Sequence, residues 1–369
     1  MSAPGAGAER ALTGLPVVWD SDCLLHEPGG EVWLGVWDTG TEVPQRATVL
    51  LDALTAAGAA LTPATAHDDS TILAVHEAAL VDHLATIWGD WEAGGYPSVH
   101  GRRRVVPYIF PTGGLLCGLP LRSPAAVHGR VGRFCYDTMT LIGPGTWEAV
   151  RAAADAAMTA ADLVAAGAPI AYALCRPPGH HATPAAYGGS CYLNNAAIAA
   201  QALRDSGADR VAVVDLDAHH CNGTQAIFYG RGDVYVGSVH IDPGAGWFPH
   251  YAGYQEERGI AEGIGANRNL PLRPGTGDAA WLAAVDELCR EAAAYQPDAV
   301  VVSLGLDAAA SDPESPLSVS ADGYRQAGER VAALAPVVAV QEGGYDLATI
   351  GSLIVAALAG LYGSDGGAA

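Results

Sequence analysis

Apolar residues in this chain fall into two kinds of run. Short stretches dominated by Val, Ala, Leu and Ile occur at 32–36, 170–175, 211–216, 234–239, 299–304 and 337–341. Most are continuous rather than alternating, the pattern of strands buried on both faces. Between them lie longer Ala-rich stretches with helical periodicity, at 46–57, 77–88, 147–166, 194–206, 279–295, 321–335 and 348–361. Strand and helix alternating down the chain predict an α/β fold with a mostly parallel central sheet flanked by helices. No internal repeat or long linker divides it, so one domain is expected over 15–369, behind a small, polar and mobile tail at 1–14. The stretch 89–144 breaks the alternation. It is rich in Gly, Pro and Arg and too long for an ordinary connection, which makes it a surface insertion or a lid or subunit contact.

Composition narrows the partners. Half of the 369 residues are hydrophobic, enough for a large core. The net charge of -21 repels a nucleic-acid backbone, and the one dense basic patch, Arg102 to Arg104, is short; no nucleic-acid partner is expected. Every basic residue is Arg, which excludes lysine Schiff-base chemistry and the phosphate-binding P-loop. The seven cysteines form no C-x-x-C pair, no signal-peptide pattern stands at the start, and no apolar run is long enough for a bilayer. A reduced, cytoplasmic protein with no membrane association is the expectation.

The chemistry gathers where predicted strands end, the usual location of sites on open parallel sheets. The strand at 170–175 leads into His180 and His181, that at 211–216 into Asp215, Asp217 and His219, that at 299–304 into Asp307, and that at 337–341 into Tyr345. In extended chain, side chains two apart share a face, so Asp217 and His219 are expected to meet one metal while Asp215 reaches a neighbouring histidine. With Asp307 they make an Asp2His set suited to Zn(II), and nearly as well to Fe(II) or Co(II). The tandem histidines supply a base and a proton donor, and Tyr345 supplies a hydrogen bond for a carbonyl oxygen gaining charge. Together these describe a metal-dependent hydrolase of amides.

These segments also resemble a known family. E-x-P-x-R at Glu42 to Arg46, VHEAALVDHL, CRPPGHHA, GGSCYLNNAA, DLDAHHCNGTQAIFY, SVHIDP, NLPLRPGTGD, SLGLDAAASDP and QEGGY are similar to the motifs of the histone deacetylase superfamily. The resemblance is class II-like, strongest to its bacterial acetylpolyamine amidohydrolase branch, and runs from about Glu42 to Leu361. It implies the arginase/deacetylase fold and an enzyme releasing an acetyl group from a small acylated amine. By resemblance, Asp217, His219 and Asp307 are zinc ligands, His181 the general base, His180 its partner oriented by Asp215, and Tyr345 the carbonyl-polarising tyrosine. Asn222 stands where some members carry a second carboxylate; a neutral amide suits a histidine that must start as a free base. The resemblance also implies a structural K+ held around Asp215, Asp217, His219, Ser238 and Val239, an exit channel lined by Arg46, and a homodimer in which 89–144 shapes the partner's entrance.

Three departures bear on substrate. Ser190, after Gly189, replaces an aromatic wall of the acyl tunnel, whose opposite wall is expected at Phe248 beside Trp247. Either the tunnel is wider and accepts a bulkier amide, or a residue of the insertion fills the space. Cys221 stands where Gly is usual, either as a small buried residue or as an oxidisable thiol. Glu314 aligns with an acidic rim position that can pair with a distant ammonium. Protein acetyl-lysine and a bulkier natural-product amide are the alternative substrates. A dinuclear ureohydrolase is excluded by Cys221, Gly305 and Ala309, which stand where extra aspartates would be needed.

Overall fold

The computed structural model describes residues 11–96 and 103–363. Eight strands are β1 (Pro16–Trp19), β4 (Ala60–Pro63), β5 (Ile170–Ala173), β6 (Val211–Asp215), β7 (Val234–Ile241), β8 (Asn267–Leu272), β9 (Ala299–Leu304) and β10 (Val337–Gln341). Among the described residues they form one parallel sheet in the order β4-β1-β5-β10-β9-β6-β7-β8. Side chains of each strand feed two cores in turn. Val211 and Val213 face one layer of helices, Ala212 and Val214 the other, which is why the run is apolar throughout. Helix Thr146–Ala165 lies on the first face and helix Asp278–Tyr295 on the second. The Ala-rich sides of the first let the helix approach the sheet closely.

The predicted strands at 170, 211, 234, 299 and 337 and all seven predicted helices are present, with shifted ends. The strand expected at 32–36 is a correction. It is a hairpin of β2 (Glu31–Trp33) and β3 (Val36–Asp38), outside the main sheet, turning at Leu34 and Gly35. Both turn residues have positive φ, 49° and 80°, the conformation two-residue hairpin turns require. The tail also ends sooner than 14: Leu12 is fully buried and its N–H bonds to Ala57 O. Residues 1–10 of that tail lie outside the described residues. Arg104 is not part of a surface patch; it is buried and donates to Glu27 O and Pro28 O. Within 89–144 the chain forms helices Gly113–Leu116 and Val127–Phe134, while 97–102 lie outside the described residues. No helix among the described residues is long and apolar enough to cross a membrane.

Candidate active site

Four strands adjacent in the sheet, β5, β10, β9 and β6, each end in one of the polar clusters. Their neighbourhood, not their order in the chain, brings the clusters together. Past β6 the expected extended geometry fails: the strand stops at Asp215, and residues 217–219 form a bend. The turn is held by its own carboxylates. Asp217 N–H donates to Asp215 Oδ1 at 3.2 Å, and His219 N–H donates to Asp217 Oδ1 at 2.9 Å. Asp217 and His219 still converge, through stacked Asx turns rather than strand pleat.

Potential ligand atoms of Asp217, His219 and Asp307 lie within 4.8 Å of one another. His219 Nδ1 is 3.0 Å from Asp307 Oδ2 and 3.4 Å from Asp217 Oδ1. Backbone donors fix the outer oxygens: Gly343 N–H reaches Asp217 Oδ2 and Ala218 N–H reaches Asp307 Oδ1, both at 2.8 Å. The cradle has no room for other side chains. A Cβ on Gly305 would stand 2.1 Å from Asp217 Oδ2, and one on Gly343 2.6 Å from Asp307 Oδ2. Burial and the Asp217 charge push the Asp307 carboxyl up to about 7. Two buried carboxylates facing one imidazole are the donor set a divalent cation compensates, so these residues fit the implied metal.

The tandem histidines are buried and 4.0 Å apart between ring centroids. Their loop is tied at both ends. Gly179 and His180 N–H donate to Glu342 Oε2, while His180 O accepts from Gly223 and Thr224 at the start of helix Asn222–Phe228. His180 Nδ1 bonds Asp215 Oδ2 at 3.2 Å. Burial opposes charge on His180, but Asp217 and Asp215 outweigh it and raise its pKa to about 10. His181 is held well below the ordinary range by burial and by the charges on His180 and His219. Its Nδ1 is 2.7 Å from Asn222 Oδ1. Adjacent residues are thus driven in opposite directions: nearby carboxylates favour charge on His180, whereas burial and cationic neighbours disfavour it on His181.

Tyr345 follows β10 on a turn held from two sides. Asp312 Oδ2 accepts from Tyr345 N–H at 2.7 Å and from Asp346 N–H at 3.3 Å. Arg46 lies beneath, 2% exposed, donating to Gly344 O and Glu342 O at 2.6 Å each, with its guanidinium 4.6 Å from the Tyr345 ring centroid. Glu42 pairs with both Arg46 and Arg176 below this turn. Burial pushes the Tyr345 phenol well up, keeping its proton available for donation.

At the rim, Phe248 stands 4.7 Å from the His181 ring, nearly perpendicular to it, while Trp247 packs back against the core. Gly189 N–H donates to Asp137 Oδ2 and Ser190 N–H to Thr140 Oγ1; both residues are left-handed, at φ 58° and 61°. Glu314 accepts from Thr41 Oγ1 at 2.7 Å, and its own N–H donates to Asp312 Oδ1. Tyr136 of the 89–144 segment faces Phe248, with centroids 6.3 Å apart and planes at 17°. Cys221 is fully buried and burial pushes its thiol well up, the small-residue alternative rather than a reactive one. The β6–β7 register sets Asp215 beside Ser238, so the residues expected around K+ share one corner; Ser238 Oγ is 2.8 Å from His240 Nδ1.

Residues 40–361 match the family model of the histone deacetylase domain. The chain belongs to the histone deacetylase family. It is 39% identical over 350 residues to the acetylpolyamine amidohydrolase of Mycoplana ramosa, covering 94% of this chain and 99% of that protein. Over 350 residues it is 40% identical to acetylpolyamine amidohydrolase 1 of Pseudomonas aeruginosa, with the same coverage. A crystal structure of acetylpolyamine aminohydrolase from Burkholderia pseudomallei matches with a TM-score of 0.87 at 38% identity, over 95% of this chain and 99% of that one. The expectations of this family, of its fold and of an enzyme stand. Sequence reasoning left Tyr136, Asp312, Glu342 and Glu42 without roles. Asp312 and Glu342 sit inside conspicuous motifs, SLGLDAAASDP and QEGGY, so the signal was present; Tyr136 had none.

Proposed function

We propose that the protein is a divalent-metal-dependent amidohydrolase that removes an acetyl group from a small acetylated amine, with acetylated polyamines as the first class. The observation that carries it is the convergence of the Asp217, His219 and Asp307 cradle with a buried histidine pair and a braced tyrosine. The names of the relatives point to the substrate class. Asp217, His219 and Asp307 would hold the cation, Zn(II) or else Fe(II) or Co(II), and Asp215, Asp217, His219, Ser238 and Val239 would surround K+. When bound, the divalent cation supplies Lewis acidity to water and to the substrate carbonyl.

The remaining work belongs to side chains. His181, bonded through Nδ1 to Asn222, takes a proton from water at Nε2 as the oxygen adds to the carbonyl carbon. His180, kept charged by its carboxylates, stabilises the charge that develops. Tyr345 donates its hydroxyl hydrogen to the carbonyl oxygen as that oxygen becomes negative. When the C–N bond breaks, His181 returns the proton to the leaving amine, and the acid's remaining proton passes to it on release, giving acetate and the ammonium form of the amine. Arg46 would line the product path below the tyrosine, and Glu314 at the rim would meet a free ammonium. The homodimer belongs to the same reading. Tyr108, Ile109, Leu115, Leu119 and Leu121 of the 89–144 segment expose apolar surface for it, and a monomer by light scattering would remove that part.

The deciding experiment is a matched panel assayed with zinc-loaded protein and a His181→Ala control. It holds N-acetylputrescine, N8-acetylspermidine, an acetyl-lysine peptide and a bulky aromatic amide. The reading expects polyamine turnover well above the peptide and none in the control. Preference for the peptide or the bulky amide would overturn the substrate class, and turnover by His181→Ala would overturn the mechanism.

A further inference from the structure

We propose that Tyr136, contributed by the 89–144 segment, sets the tautomer of His181 and is a positioning residue for the reaction. The inference rests on the reading of His181 as the base. Three contacts form a closed ring that begins and ends on that histidine. His181 Nδ1 is 2.7 Å from Asn222 Oδ1. Asn222 Nδ2 is 3.5 Å from the Tyr136 hydroxyl, a long contact, and the hydroxyl is 2.9 Å from His181 O.

The donors and acceptors in this ring can be arranged in one way. A backbone carbonyl only accepts, so the single Tyr136 hydroxyl hydrogen points to His181 O. The hydroxyl oxygen is then left to accept, and the NH2 end of Asn222 is the end that donates to it. Asn222 Oδ1 therefore faces His181, where it accepts from Nδ1–H. The lone pair is left on Nε2, the nitrogen that has to take the proton.

An amide needs such a partner where a carboxylate would not. Both oxygens of a carboxylate accept, so either orientation favours Nδ1–H. An amide turned about its terminal torsion presents NH2 instead and favours the opposite tautomer, whose Nε2 carries hydrogen and has no lone pair to offer. Tyr136 removes that alternative, and it is itself fixed. Its ring backs onto Gly188, where an added Cβ would stand 2.4 Å from it. The following Asp137 accepts from Gly189, Met139 and Thr140 N–H at 2.6 to 2.9 Å. The segment that interrupts the α/β alternation thereby reaches the backbone of His181 and its amide partner through one hydroxyl.

The test combines Tyr136→Phe, which keeps the ring against Phe248, with Asn222→Asp and the double variant. Long-range 1H–15N NMR of the His181 ring, identified by its absence in His181→Ala, reads the tautomer directly, with and without zinc. Wild type is expected to show protonated Nδ1 and bare Nε2, and Tyr136→Phe to move both nitrogens toward averaged values. With N8-acetylspermidine, Tyr136→Phe is expected to lower kcat about tenfold while KM stays within about twofold, the signature of a mispositioned base. In the Asn222→Asp background, Tyr136→Phe is expected to change neither the ring signals nor kcat. Unchanged ring signals in Tyr136→Phe overturn the proposal, as does an equal kcat loss in both backgrounds, which would be a packing effect. The NMR arm is independent of turnover, so a protein that hydrolysed none of the panel would sink the functional reading and leave this one decidable.

Discussion

Replacing His83 by leucine isolates one electrostatic contribution beneath the segment that delivers Tyr136. His83 lies on helix Ala78–Ala93, 4% exposed, stacked 4.4 Å from Phe134 and 6.0 Å from Tyr187 between ring centroids. Neither ring nitrogen has a hydrogen-bond partner among the described residues. Burial, reinforced by Arg130, lowers its pKa to about 3, against 6.5 for the free side chain. The folded value is depressed, so the neutral ring is favoured on folding. Its contribution is whole above about pH 6.5 and is lost as the pH falls from there toward 3. Between pH 7 and pH 5 the unfolded chain takes up about 0.7 of a proton at this site and the native state almost none. The integrated loss is about 1.4 pH units, or about 1.9 kcal/mol. Leucine has no such contribution. At pH 7 it also avoids burying two unpaired nitrogens, at about 1–3 kcal/mol each, against about 0.5–1.5 kcal/mol of ring stacking given up. Urea unfolding of both proteins at pH 7 and pH 5 should show His83→Leu no weaker at pH 7, with the gap widening by about 2 kcal/mol at pH 5. A gap of the same size at both pH values would refute the reasoning, because the ring would then be solvated in the native state.

Three further outcomes follow from the site. Asp312→Asn keeps the shape but loses one acceptor among three backbone N–H groups, so kcat should fall about 10- to 100-fold with KM little changed; a rise in KM alone would contradict a role in holding Tyr345. Glu314→Ala should raise KM for acetylated polyamines several-fold, on the order of 1 kcal/mol for an exposed ion pair, and leave a neutral acetamide unaffected; equal effects on both would dismiss the ammonium contact. Cys221→Gly should leave activity and peroxide sensitivity unchanged because the thiol is buried and protonated; protection from peroxide would revive the redox alternative.

The parts of the fold visible in sequence are those where one physical cause dominates. Val211 to Asp215 and Ala299 to Leu304 are buried on both faces, and a strand covered by helices on both sides has to be apolar at nearly every position. β8 was invisible for the opposite reason. Its Asn267 and Asn269 are buried but spend their amides on Gln225 and on Glu257, and Arg268 is paired with Glu287 and Glu291. A strand whose burial is compensated by hydrogen bonds leaves no hydrophobic signature. β1 and β4 were missed because, unlike β5, they are not buried throughout: β1 is buried only at Val17 and Val18 and β4 is mostly exposed; the hairpin was misread because Trp33, Leu34 and Val36 are apolar yet exposed.

The site divides along a similar line. Groups that the proposed reaction needs for charge or a lone pair, His180, His181, Asp217, His219, Asp307 and Tyr345, are chemically conspicuous, and their positions just past strand ends imply that they meet. The expected reason for Asp217 and His219 meeting was nevertheless wrong, since strand pleat ends at Asp215 and backbone N–H donation to carboxylates takes over. Groups that act by fixing those residues are common polar types whose roles depend on contacts far along the chain. Arg46 reaches across 296 and 298 residues to the carbonyls flanking Gly343, Asp312 spans 33 residues to Tyr345, and Tyr136 spans 45 to His181. No local pattern encodes such separations. The effect of Ser190 shows the cost: sequence left open whether the insertion fills that side of the rim. The answer depends on a left-handed Gly189–Ser190 turn pinned by Asp137 and Thr140, which brings the insertion to within one ring of Phe248. Tyr136 of the insertion does face Phe248, and its hydroxyl donates to His181 O, so one side chain meets both that ring and the backbone of His181.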